Sequence, residues 1–330
     1  MDIDSSAPAR IDLAGGTYDI WPLYLFHDGA QTINTAISLR AHCRLISRRD
    51  HRIRIVSEDT GEQIEAVDLP ELGVGRLPLI ARLARHFGAR GVDVVTKSES
   101  PVGAGIGGSS AMAVAAAAAF AAWTGRSMDP EDLLTVAMNI EAQVLGVPTG
   151  VQDYRPAMYG GVAAIELNVS GVRRVALNVD RRELERRVVL AYTGASRQSG
   201  INNWAVMQRR IGDDPVVSAA FDGIRDAAAG VRLALERGQW RDLATHLAAE
   251  WMHRKRLAPA VTTPDIDAMF EKAREAGALA GKVCGAGGGG CLFCLVEPDR
   301  HVAVSAALSN LGAQVLPVTF EAQGLTLVRA

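Results

Sequence analysis

Residues Pro101 to Met112 read PVGAGIGGSSAM, and AVAAAAAFAAW follows at once. Gly103, Gly105, Gly107 and Gly108 put four glycines into six residues. Such a stretch is costly to order, and it lets backbone come close to a ligand. A helix is predicted from Ser109 to about Trp123, beginning where the glycines end. The first amides of a helix are unpaired and carry about half a positive charge, which makes them an anion site. Ser109 and Ser110 add hydroxyls that either cap the helix or turn toward a phosphate-bound Mg²⁺. The plain alternative is a glycine-rich turn with an ordinary serine cap.

Two familiar phosphate motifs fit poorly. Gly103, Gly105 and Gly108 satisfy G-x-G-x-x-G, but the acidic strand end required about 20 residues on is replaced by the helix start SMDPED. No lysine follows the glycines, so a P-loop is excluded. A second glycine cluster, CGAGGGGC, lies between two apolar strands. Together the two loops predict a cleft that grips a polyphosphate from two sides.

Phosphoryl transfer rests on positioning and charge neutralisation, so it needs a cation, a metal ligand and an aspartate at the acceptor hydroxyl. Asp153 in GVPTGVQDYRP is the candidate aspartate, with helix capping or pairing to Arg155 as alternatives. Glu141, one turn before the end of TVAMNIEAQVLG, is either a metal ligand or a solvent-facing side chain. Asp19, beside two glycines, either accepts hydrogen bonds from substrate hydroxyls or closes an Asx turn. Arg10 is a candidate cation or a surface residue.

These groups need a scaffold. QTINTAISLRAHCRLIS alternates as one long strand, with HRIRIVSED as its hairpin partner. Helices are expected over Leu77–Phe87 and from Asp129 to Leu145, the latter with Asp129 as N-cap and Pro130 in its first turn. GVDVVTKSES is a strand, TGVQDYRPAMYGG a loop, and GVAAIEL the strand after it. Beyond Asp180 come the strand RRVVLAYTG, long helical patterns over Ile201–Leu257 and Asp265–Ala276, and the strand-loop-strand GKVCGAGGGGCLFCLVE. Two short strands close the chain. A mixed first half and a helix-rich second half predict an α+β protein of two domains, 1–185 and 186–330.

With 330 residues, 48% of them hydrophobic and 22% charged, the chain has ample core material. Its 35 basic and 37 acidic residues leave a net charge of −2, which gives no footprint for nucleic acid or an anionic membrane. No apolar run spans a bilayer, and MDIDSS lacks the features of a signal peptide, so a cytoplasmic protein is expected. Cys291 and Cys294 in CLFC sit three apart in a strand and point to opposite faces, which argues for packing over chelation.

APARIDLAGGTYD, PVGAGIGGSSAM and KVCGAGGGGC, in that order, resemble the three motifs of the kinase superfamily of galactokinase, homoserine kinase, mevalonate kinase and phosphomevalonate kinase. The resemblance implies an ATP-dependent kinase with ATP and Mg²⁺ in an interdomain cleft. Its first half would be ribosomal S5 domain 2-like and its helix-rich second half ferredoxin-like. It implies that Gly103, Gly105, Ile106, Gly107, Gly108, Ser109 and Ser110 bind ATP, and that Ser109 and Glu141 hold the metal. Asp153 and Arg10 become the catalytic pair, and Gly16, Thr17, Asp19, Gly287 and Gly288 the substrate contacts. Gly16 stands where galactokinases carry a glutamate, and Tyr154 where they carry a glutamine. AGG-x-x-D and YTGASRQSG instead resemble kinases of heptose 7-phosphate and, less closely, of fucose; in the former Arg197 would reach a substrate phosphate, with a surface arginine after a strand as the alternative. The partner implied is a small sugar or sugar phosphate, with a homodimer among the open assemblies. A mevalonate-type kinase or decarboxylase and a nucleotide-free binding protein are the alternatives.

Overall fold

The computed structural model describes residues 2–73, 75–196 and 199–329. The first half builds β1 (Ile3–Ala14), β2 (Gln31–Ser47), β3 (Ile53–Ser57), β4 (Gln63–Ala66), α1 (Pro78–Phe87) and β5 (Val92–Ser98). It continues with α2 (Gly108–Trp123), α3 (Pro130–Leu145), α4 (Tyr154–Tyr159), β6 (Val162–Asn168) and β7 (Gly171–Ala176). The second half holds α5 (Arg181–Arg186), β8 (Val188–Tyr192), α6 (Ser199–Ile211), α7 (Pro215–Arg237), α8 (Trp240–Lys255) and α9 (Pro264–Glu275). After these come β9 (Ala278–Val283), β10 (Cys291–Val296), α10 (His301–Asn310), β11 (Gln314–Val315) and β12 (Thr326–Arg329).

Two sheets organise these elements. The larger runs β12-β1-β2-β5-β3-β4, with β6 on β2 and β7 on β6; the smaller runs β11-β8-β10-β9. The expected hairpin between β2 and β3 is corrected. β5 lies between them, antiparallel to β2 and parallel to β3. A parallel partner needs a crossover, and α1 supplies it between β4 and β5. Residues 149–161, expected as loop, contain α4. Pro156 is tolerated there because it falls in the first helical turn, where its missing N–H has no partner to lose. α10, absent from the sequence reading, fills the tail ahead of the closing strands.

Placement of the glycine loop depends on α2. Every residue from Ser110 to Ala122 is buried, so the helix is apolar all round and runs through the core. It packs on β1 and β2 and beneath α1 and α3. Alanine is the best helix former and its small side chain allows close approach, so the sequence places a stiff rod under the large sheet. Asp129 caps α3 by accepting from the Glu131 N–H, and Gly146 ends it in the left-handed conformation. Cys291 and Cys294 point into separate cores on opposite sides of β10, and among the described residues no His, Cys, Asp and Glu group is able to hold a metal by itself. Among those residues no helix is long and apolar enough to cross a membrane.

Candidate active site

A cleft of about 450 Å³ opens in front of α2. At one end it is walled by Ser57, Asp59, Leu77, Thr96 and Ser98, and at the other by Arg10, Thr17, Asp19, Asn203 and Gly285. The glycine loop lies between them. Gly103, Gly105 and Gly107 have φ of 70°, 73° and 75°, a left-handed conformation that other residues adopt only at a cost. A side chain on Gly108 would lie 2.9 Å from Ser100 Cβ. The loop is held by Arg10, whose Nη1 donates to the Gly105 carbonyl at 2.9 Å and whose backbone N–H donates to the Ile106 carbonyl at 2.8 Å. Ile106 itself is buried in the core, so its side chain anchors the loop and does not face the cleft.

Among the described residues no side chain caps the start of α2. The two serines are turned elsewhere: Ser110 Oγ donates to Glu141 Oε2 at 2.8 Å, and Ser109 also hydrogen-bonds the Glu141 carboxylate. Tyr154 Oη donates to the same Oε2 at 2.6 Å. Glu141 is only 4% exposed, against the expectation for a solvent-facing residue. Burial pushes its pKa up, and the three hydroxyl donors hold it partly back. The Ser109, Ser110 and Glu141 oxygens are hard donors that converge beside an uncapped helix start. Mg²⁺ characteristically takes one or two carboxylates and completes its shell with water and phosphate oxygens, so these residues fit it.

Asp153 sits at the start of α4, and Arg10 grips it through Nε at 2.9 Å and Nη2 at 2.6 Å, both to Oδ1. Arg155 pairs with Glu131 instead. The Arg10 side chain is buried and the Asp153 side chain is 26% exposed, so the carboxylate reaches the cleft while its cation does not reach water. Burial works against the Arg10 charge, but Asp153 and Asp12 outweigh it and raise its pKa.

Asp19 is pushed up to about 7, by burial first and by the nearby Asp153 charge second, against a hydrogen bond from the Gln152 N–H at 2.9 Å. Its carboxylate lies against residue 150, where a Cβ would fall 1.9 Å from Oδ2, so glycine is required there. A folded-state pKa above the unfolded value of 3.8 makes the Asp19 contribution to stability fully present below about pH 4 and lost as pH rises through about 7. Asp19→Asn is therefore expected to melt higher than the parent at pH 8, with the gap closing toward pH 5. Parallel melts that keep the gap constant across this range sink the assignment.

Most of the expected residues meet at the cleft: Arg10, Thr17, Asp19, Gly103, Gly105, Gly107, Gly108, Ser109, Ser110, Glu141 and Asp153 all line it. Gly16, Gly287 and Gly288 do not. A side chain at Gly16 would meet Asp12 Oδ2 at 2.1 Å and Arg254 Nη1 at 2.7 Å. Gly287 has no room beside the Val261 carbonyl at 2.4 Å, and the Gly288 N–H donates to that carbonyl. These two glycines tie the loop to the segment before α9, and Gly285 and Ala286 face the cleft in their place. Arg197 lies outside the described residues. The second glycine loop meets the first directly: Gly290 packs on Ala104, and the Cys291 N–H donates to the Ala104 carbonyl at 2.6 Å.

The sequence reading missed Asn203 and the polar wall of Ser57, Asp59, Thr96 and Ser98. It also missed four buried charges behind Thr17, namely Asp12, Glu250, Arg254 and Lys282. Their signal was present, since Asp12 and Lys282 interrupt otherwise apolar strand patterns and Glu250 and Arg254 share one helix face.

Residues 76–161 match the family described as GHMP kinases N terminal domain, and residues 231–314 that described as GHMP kinases C terminal. A Campylobacter jejuni protein, D-glycero-alpha-D-manno-heptose 7-phosphate kinase, is 30% identical over 98% of both chains. A mevalonate kinase of Thermococcus sibiricus is 25% identical, covering 99% of this chain and 98% of its own. Among solved structures, a D-glycero-D-manno-heptose 1-phosphate kinase from Bacteriodes thetaiotaomicron superposes with a TM-score of 0.80 at 28% identity over 99% of each chain.

Proposed function

The chain belongs to the GHMP kinases and is an ATP-dependent kinase, and from that premise we propose that it phosphorylates a hydroxyl of a sugar phosphate, with D-glycero-D-manno-heptose 7-phosphate favoured. The observation that carries this reading is the Arg10–Asp153 pair, set where the glycine loop meets the Asp19 end of the cleft. The same reading makes 1–185 the ATP-binding domain and 186–330 the C-terminal domain, with β12 returning to pair with β1.

The glycine amides and the uncapped start of α2 hold the triphosphate. The end of the cleft beside Leu77 and Thr96 receives the base. Ser109, Ser110 and Glu141 would hold Mg²⁺, which would supply neutralisation of the phosphate charge. Asp19 and Thr17 orient the acceptor. Asp153 accepts the proton of the acceptor hydroxyl as that oxygen bonds to the γ-phosphorus and the bond to the β-γ bridging oxygen breaks. ADP then leaves with the pair of electrons from that bond. Arg10 holds Asp153 in place through the Nε and Nη2 bonds to Oδ1.

An ADP-release screen with MgATP against sugars, sugar phosphates and mevalonate derivatives tests the substrate. Heptose 7-phosphate is expected to stimulate turnover most. Greater stimulation by mevalonate overturns the sugar-phosphate reading.

A further inference from the structure

Behind the Asp19 end of the cleft, Asp12 of β1, Glu250 and Arg254 of α8 and Lys282 of β9 form a closed ring of alternating charge. Lys282 Nζ lies 2.9 Å from Glu250 Oε1 and 3.2 Å from Asp12 Oδ2, and Arg254 Nη1 lies 3.6 Å from each of the same two oxygens. All four side chains are buried. The formal charge of the ring is zero. Burial opposes ionisation of Asp12, but Lys282, Arg254 and Arg10 together lower its pKa and keep it charged.

A buried grouping of this kind is poor evidence of stability, because desolvation offsets most of the attraction and apolar replacements are often neutral or better. What distinguishes this ring is where its spare bonds go. Glu250 Oε1 accepts from the Gly15 N–H at 3.3 Å. Arg254 Nη2 donates to Thr17 Oγ1 at 3.4 Å and to the Gly285 carbonyl. Thr17 has φ of 78°, an uncommon conformation for a β-branched residue that its surroundings must impose. Thr17 and Gly285 both form the cleft wall. The ring therefore joins two wall segments that are far apart in sequence. It also occupies the space beside Gly16, which keeps any side chain off that position.

We propose that Arg254, with Asp12, Glu250 and Lys282, positions the 15–17 turn against Gly285 and thereby sets affinity for the acceptor without affecting the nucleotide. The acceptor part of this statement rests on the function proposed above, and the positioning part stands on geometry alone.

Arg254→Lys keeps the charge and removes the fork whose Nη1 faces Asp12 and Glu250 while its Nη2 reaches Thr17 and Gly285. With D-glycero-α-D-manno-heptose 7-phosphate as acceptor, its KM is expected to rise about ten- to a hundredfold, the effect of losing charge-assisted hydrogen bonds, with the KM for ATP within about twofold. In the protein without substrates, amide exchange at residues 15–17 and 285–286 is expected to quicken about tenfold or more, with the first turn of α2 unchanged. If the parent protein ignores the heptose phosphate, the choice of that acceptor falls, and the exchange result by itself decides the positioning role. Unchanged exchange at both segments overturns the inference, and so does a KM for ATP that rises in step with that for the acceptor. Glu250→Gln, which keeps an acceptor for the Gly15 N–H and breaks the charge ring, provides the same two readouts if Arg254→Lys does not fold.

Discussion

Asp153→Asn is expected to lower kcat by about 10²- to 10⁴-fold, the usual contribution of a positioned general base, while calorimetry shows MgATP still bound. Asparagine matches aspartate in shape and keeps an oxygen facing Arg10 Nε and Nη2, so the geometry of the pair survives. What is lost is the ability to take a proton and the charge that balances a buried guanidinium. The Arg10 guanidinium then keeps the amide oxygen, its Nη1 bond to the Gly105 carbonyl and the more distant field of Asp12, but no adjacent anion. The variant is expected to lose about 1–3 kcal/mol of stability, below the full cost of orphaning a deeply buried ion because Asp153 keeps contact with solvent. Stopped turnover with intact nucleotide binding separates a chemical role from a structural one. A variant that keeps kcat within about tenfold of the parent removes Asp153 from the proton path.

Local signals in the chain translate directly into structure, and non-local ones do not. The alternation of β2 and the Asp129-Pro130 start of α3 depend on neighbours a few residues away, and both appear where the pattern puts them. The partner of β3 depends on β5, which is about 40 residues distant, so a pattern centred on β3 pointed to the wrong strand. The same division runs through the site. Gly103, Gly105 and Gly107 disclose themselves because left-handed backbone demands glycine. Gly287 and Gly288 are left-handed too, with φ of 91° and 76°, yet they hold to Val261 and not to the cleft, while Gly16 is kept bare by Asp12 and Arg254, and sequence alone does not distinguish an amide offered to a ligand from a backbone pressed against a neighbour. Lys282 and Asp12 look anomalous in apolar strands, yet only the fold brings them to Glu250 and Arg254.

Glu141→Gln is expected to move activity and stability in opposite directions. Among the described residues, the desolvated Glu141 carboxylate takes its hydrogen bonds from the hydroxyls of Ser109, Ser110 and Tyr154 and has no cation in direct contact. A buried anion so placed opposes folding, and the isosteric amide relieves that cost while keeping an oxygen for Tyr154 and Ser110. The variant should therefore melt at or above the parent temperature. Turnover should fall by about 10²- to 10³-fold, the scale set by removing one preorganised electrostatic partner of the transferring phosphoryl group. The Mg²⁺ concentration for half-maximal rate should rise with it, because the remaining Ser109 and Ser110 hydroxyls are neutral ligands. A residue kept only to brace α2 against α3 behaves differently: its loss lowers the melting temperature and the rate together and leaves the Mg²⁺ requirement where it was. Melting curves in EDTA, set beside Mg²⁺ titrations of ADP release, decide between the two. A destabilised variant with the parental Mg²⁺ requirement ends the case for Glu141 as the metal carboxylate.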